Sequence, residues 1–271
     1  MKDFFDVMTV GARAIRIMRS LVDEWPSECP LCHLSSRAGQ LCPGCLADCY
    51  GYRQQRAVCA KCADDINIGN ACDCNGLATH QLICPSCQSR SLFVDSTTCA
   101  LDYQFPAQLL LDNFMLAGQL SLAPVHAKLM VMAAEPVLKA VPIDVWIPIP
   151  CQSAKLVSIG YSPSQQLARV MARLTGIPYR LTGLRYAKAW GAGQGRAGGA
   201  APGYGEQDFV ADPMVYGLAI GLVIDLSGKN DRVDSAAKAL RVAGARNIIV
   251  VAAARQAVNC AGSAPSIEAC E

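Results

Sequence analysis

Four C-x-x-C pairs follow one another early in the chain: Cys29/Cys32, Cys42/Cys45, Cys59/Cys62 and Cys84/Cys87. Nothing else constrains the fold so tightly. Two intervening residues make a tight turn that aims both sulfurs at one point, and two such turns complete a tetrahedral thiolate shell. Thiolates select zinc over hard cations. Pro30, Pro43, Gly44 and Pro85 lie inside the pairs, where a turn needs a fixed or permissive φ. Eight ligands make two zinc sites.

The sequential assignment puts Cys29, Cys32, Cys42 and Cys45 on one ion, and Cys59, Cys62, Cys84 and Cys87 on the other. The sequence leaves open an interleaved pairing and a single occupied site. Cys49, Cys72, Cys74 and Cys99 are left over, as are His33 and His80; Cys72 and Cys74 could stand in for a ligand. A disulfide framework is the main alternative, and it needs an oxidising compartment. An iron–sulfur site is the other, but no C-x-x-C-x-x-C run is present.

The N-terminus does not read as a secretory signal. Asp3 and Asp6 come first, and Arg13, Arg16 and Arg19 interrupt any apolar stretch. Phe4, Phe5, Met8, Ala12, Ile15 and Met18 recur at helical spacing, so residues 1–25 read as an amphipathic helix packed on the body. A membrane-surface helix is the competing reading. The reducing cytoplasm is the expected compartment. No apolar run approaches the roughly 18 residues of a membrane span.

Charge bears on what the cysteine-rich segment does. Residues 29–99 carry five bases (Arg37, Arg53, Arg56, Lys61, Arg90) and five acids (Asp48, Asp64, Asp65, Asp73, Asp95). The segment is neutral before metal, and two four-thiolate zinc sites make it acidic by about four charges. The whole chain has a formal net charge of +2; two filled sites would make that about −2. A module that tracks phosphates is expected to be basic, so direct nucleic-acid binding is expected to be weak or absent.

Beyond residue 100 the cysteines nearly vanish and α/β punctuation begins. Pro106–Leu120, Ala123–Leu138 and Pro163–Leu174 read as helices, the last with Ser162 as N-cap and Gly176 as stop. Residues 142–150, 218–225 and 247–253 read as buried strands, and Asp231–Ala243 as a helix ending at Gly244. Continuous apolar strands alternating with amphipathic helices predict a parallel sheet covered on both faces. Ligands of such sheets bind at the carboxyl ends of the strands. That directs attention to Asp225, Ser227, Gly228, Lys229 and Asn230; an ordinary turn into a capped helix is the bland alternative. The glycine-rich run 191–205 reads as a lid or a surface loop.

These residues together resemble the ComF family of phosphoribosyltransferase-like proteins, including its GntX-like members, over nearly all of residues 26–255. The carriers are CPLC, CPGC, CAKC and CPSC, then Tyr103-Gln-Phe-Pro106 and Ile147-Pro-Ile-Pro150. Gly160-Tyr161 with Gln166-Leu-Ala168 follows, and last Leu240-Arg-Val-Ala-Gly-Ala245. The resemblance implies an N-terminal double zinc ribbon (26–99) and a type I phosphoribosyltransferase-like α/β domain with a parallel sheet (100–255); the tail 256–271 carries no motif and reads as loose. It also implies a role in DNA uptake, competence or use of DNA as a nutrient, with partners such as a helicase.

The departures lie in the site that would take phosphoribosyl pyrophosphate (PRPP). The family's acid pair falls on Ile224 and Asp225, its threonine-threonine-glycine step on Gly228, Lys229 and Asn230, and its later threonine on Arg232. Ile159, Ser162, Pro163 and Asn113 replace other polar residues, while Gln194 of the lid survives. The expected protein is therefore impaired in catalysis and acts as a binding or scaffold protein, with no assigned catalytic residue. An active enzyme using PRPP and magnesium is the alternative, and a zinc-ribbon nucleic-acid adaptor the second. The sequence leaves the oligomeric state open.

Overall fold

A computed structural model describes residues 25–66, 82–90, 92–151, 153–187, 209–228 and 231–256. The expected N-terminal helix (but for Trp25), Cys72, Cys74, His80, Gln194 with its glycine-rich loop, Lys229, Asn230 and the tail beyond Gln256 lie outside the described residues.

The body is a four-stranded parallel sheet. Its strands are β3 (Ser96–Asp102), β4 (Val145–Pro148), β7 (Ala219–Ser227) and β8 (Asn247–Arg255), in the order β3-β8-β7-β4. Side chains of successive residues point to opposite faces of a strand, and β8 shows the consequence. Ile249, Val251 and Ala253 belong to one core cluster, and Ile248, Val250 and Ala252 to the other. Both faces are apolar because both are covered, which is why the strands read as unbroken apolar runs.

The helices take their places accordingly. α4 (Ala107–Met115), α5 (Ala123–Ala140) and α7 (Pro163–Thr175) cover the first face; α8 (Asp231–Val242) and the antiparallel pair β5 (Leu184–Tyr186) and β6 (Phe209–Ala211) cover the second. α7 ends where Gly176 adopts φ 75°, a left-handed conformation that glycine takes without penalty. Ser162 sits at its N-cap in extended conformation but makes no side-chain cap bond. Gly221 has a packing reason: a Cβ there would lie 2.3 Å from the ring of Trp146, the largest fully buried side chain.

The expected α/β architecture is observed, and its N-terminal part holds two cysteine clusters. The expected helix over 106–120 is shorter, because the chain leaves α4 at Met115 and turns through a 3-10 segment, Leu120–Leu122. Three pairings had no sequence expectation: the edge strand β3, the β5–β6 pair, and a small hairpin of β1 (Pro26–Glu28) with β2 (Ser35–Arg37). Among the described residues no helix is long and apolar enough to cross a membrane.

Candidate functional site

The two cysteine clusters are built by one repeated device. In the first, Cys29 to Leu34 close a knuckle: His33 N–H donates to Cys29 C=O at 2.9 Å and Cys29 N–H to Leu34 C=O at 2.8 Å. In the second, Ala63 N–H donates to Cys59 C=O and Cys59 N–H to Asp64 C=O, both at 2.8 Å. The residue after each knuckle is left-handed, His33 at φ 59° and Ala63 at φ 57°. Each knuckle faces a short proline-led helix whose N-cap is a cysteine: Cys42 before α1 (Pro43–Leu46) and Cys84 before α3 (Pro85–Gln88).

The result is two tetrads, Cys29/Cys32/Cys42/Cys45 and Cys59/Cys62/Cys84/Cys87. Within each, all four sulfurs lie within 4.8 Å of one another. The pairing is sequential, and each tetrad could hold a metal ion. Its electrostatics fit one. Burial opposes the Cys29 thiolate, but the N–H groups of Cys42, Cys32 and Leu31 and the Cys32 side chain outweigh it and hold this thiol at about 6. Cys59 is held at about 7 in the same way, against burial, by the N–H groups of Cys84, Cys62 and Lys61 and the Cys62 side chain. Burial first, and then the neighbouring thiols, push Cys45 up; burial also pushes Cys87 up to about 12, with the Cys62 side chain opposing and Cys84 and Cys59 adding to it. One thiolate forms readily in each tetrad and disfavours the next, and a shared cation would favour all four.

Of the leftover cysteines, the described Cys49 and Cys99 are packing residues. Cys49, 5% exposed, lies in the first core cluster beside the first tetrad, and Cys99, 3% exposed, lies within β3. His33 is exposed and lies 3.8 Å from Glu28 rather than in a tetrad.

The ribbon is fastened to the sheet by arginines; sequence reading weighed Arg53 and Arg56 only as a local basic patch and did not foresee their partners. Arg53, in α2 (Tyr52–Gln54), is 4% exposed. Its guanidinium donates to Cys99 C=O at 3.0 Å and Ala63 C=O at 2.7 Å, and pairs with Asp102 at the end of β3. Arg56 donates to Asp102 at 2.9 Å and also pairs with Asp65. From the sheet side Arg255, at the end of β8, donates to Asp64 Oδ1 through Nε at 2.8 Å and Nη2 at 2.5 Å. Its Nη1 donates to Gly228 C=O at 3.1 Å and Ser227 Oγ at 3.4 Å. Only their contact partners, far away in sequence, reveal these arginines.

The carboxyl end of β7 carries the described members of the expected ligand set. Asp225 is 6% exposed and accepts a hydrogen bond from Ser164 Oγ at 3.3 Å, at the start of α7. Burial and the Asp225 charge raise the Tyr161 phenol above its ordinary value. Ile224, in place of the family's other acid, is 1% exposed in the opposite core. Arg232, at the start of α8, donates to Pro150 C=O beyond β4, and Tyr186 Oη donates to the same oxygen at 3.2 Å. Ser227 and Gly228 instead line a cleft of about 100 Å³ facing the second tetrad, with Lys61, Arg90, Thr97 and Arg255.

No protein-family model matches the chain, and no curated protein does. Solved structures give partial matches. A Bacillus subtilis glutamine PRPP amidotransferase complexed with ADP and GMP matches at 20% identity and TM-score 0.30, over 49% of this chain and 26% of that one. A structure described as the allosteric regulatory enzyme of purine biosynthesis matches at 21% and 0.31, over the same shares. A purine phosphoribosyltransferase from Pyrococcus horikoshii matches at 13% and 0.30, over 48% of this chain and 73% of that one. The chain thus spans about a quarter of the length of the first two.

Proposed function

We propose that this chain is a ComF-like binding or scaffold protein: a double zinc ribbon on a phosphoribosyltransferase-like body impaired in catalysis. One observation carries the reading. The acid left at the carboxyl end of β7, Asp225, is buried and hydrogen-bonded to Ser164 rather than displayed to a ligand. The buried Tyr161 Oη and Ser162 Oγ have no hydrogen-bond partner, but Arg232 and Arg255 are engaged within the fold, on Pro150 and Asp64. A site that binds ribose hydroxyls and a pyrophosphate needs such groups preorganised toward the ligand. Here they hold the protein together.

Zinc is the ion proposed for each tetrad, because four thiolates in a closed shell are the structural zinc arrangement. The ion supplies cross-linking of a segment too small to fold on apolar burial alone. The proposed setting is the cytoplasm, with competence or DNA-uptake proteins such as a helicase as partners. Titration of the purified protein with PRPP and magnesium tests the reading, which expects neither micromolar binding nor pyrophosphate release.

The cleft beside Ser227 and Gly228 favours a second reading. Lys61, Arg90 and Arg255 line it, beside Asp64 and Asp234, and bases beside a helix start suit an anionic ligand. In that reading the body still takes PRPP with magnesium, and the same titration returns a binding curve.

A further inference from the structure

The second cysteine tetrad and the carboxyl end of β7 are joined through two side chains. Asp64 lies two residues after Cys62, and its backbone carbonyl closes the knuckle by accepting Cys59 N–H at 2.8 Å. Its Oδ2 lies 3.7 Å from Cys62 Sγ. The geometry that aims Cys59 and Cys62 at an ion therefore also fixes the Asp64 carboxylate. That carboxylate holds Arg255 through Nε and Nη2, and Arg255 holds Ser227 and Gly228 through Nη1. Arg255 is 5% exposed, so the burial of its guanidinium is offset by this carboxylate.

The knuckle is tied to the sheet at a second point. Thr97 N–H donates to Ala60 C=O at 2.8 Å, and Thr97 Oγ1 to Lys61 C=O at 2.7 Å. A change in the knuckle is thus passed to the ends of β3 and β8 rather than dissipated in a loop. By contrast, the described bonds of the first knuckle stay within the ribbon.

We propose that Asp64 and Arg255 make the order of the Ser227–Gly228 segment depend on metal in the second tetrad, so that the body presents this face only when that tetrad is loaded. Without an ion the four thiols no longer converge, the knuckle loosens, and the carboxylate leaves its fixed position. Arg255 then keeps only neutral acceptors, a poor environment for a buried cation. It follows solvent or Asp64 and releases the Gly228 carbonyl. The first tetrad packs into the first core cluster, but among the described residues no hydrogen bond from its knuckle reaches Ser227 or Gly228. This inference goes beyond the proposed function, since it holds whether or not the body takes PRPP.

Amide hydrogen exchange on the full metal-loaded chain tests it, with no ligand present. Cys87→Ser disables the second tetrad, Cys45→Ser the first, and Asp64→Ala cuts the connection with all eight cysteines intact. The expected result is about tenfold faster exchange at 226–228 in Cys87→Ser and in Asp64→Ala. Cys45→Ser leaves that segment as in the wild type, and Asp64→Ala retains its full metal content. Wild-type protection in Asp64→Ala overturns the proposal, and so does equal loss in Cys45→Ser. Should Cys87→Ser unfold the whole chain, Asp64→Ala decides alone. Failure of PRPP binding would leave these outcomes untouched.

Discussion

Ser164 Oγ donates to Asp225 Oδ1 at 3.3 Å, inside the seam between α7 and β7. The bond ties the one remaining acid of the candidate ligand set to the fold. Ser164→Ala should therefore act on stability: it leaves a buried carboxylate one donor short, at a cost of about 1–3 kcal/mol. Urea unfolding monitored by tryptophan fluorescence reads this directly. A loss well under 0.5 kcal/mol would show that the carboxylate does not depend on the serine.

Gly221→Ala is expected to be more damaging than its size suggests. The added methyl would meet the Trp146 ring at 2.3 Å and Ile143 at 2.5 Å, where both residues are buried in the core. Overpacking of this kind costs about 1–3 kcal/mol. The thermal midpoint should fall by several degrees, and Trp146 fluorescence should shift.

His126 gives a pH dependence of known sign. Burial lowers its pKa from 6.5 to about 4, only partly offset by its hydrogen bond with the Leu110 carbonyl. The folded state holds the ring neutral where the unfolded chain would protonate it. Stability from this group is therefore complete above pH 6.5 and is lost as pH falls toward 4. The fully developed effect is on the order of 3 kcal/mol. Denaturation at pH 7 and pH 5 should show a loss in the wild type that is smaller in His126→Gln.

Metal analysis should return two zinc ions per chain. Their removal by a strong chelator should lower the thermal midpoint and expose all eight ligand thiols to a thiol reagent. Cys49→Ala and Cys99→Ala should leave the zinc count at two, because both residues are core packing groups outside the tetrads.

The clusters and the sheet were legible because they rest on local signals. C-x-x-C spacing fixes a turn, and an unbroken apolar run such as Ile248–Ala254 fixes a strand covered on both faces. β3 was hidden because Ser96, Thr97 and Thr98 give it a polar start and its register comes from β8 alone. The arginine fastenings were hidden for a related reason: Arg255 and Asp64 are 191 residues apart, and nothing local marks either as paired. Ser162 shows the opposite case. Its position as N-cap was readable, but its side chain does not make the bond that the residue type implies.

The proposed function stands or falls on whether the body performs phosphoribosyl chemistry. Calorimetric titration of the zinc-loaded protein with PRPP and magnesium, paired with an assay for released pyrophosphate, tests it most directly. The account predicts no micromolar binding and no pyrophosphate above the uncatalysed rate. Micromolar affinity, or turnover that disappears in Asp225→Ala, would contradict it.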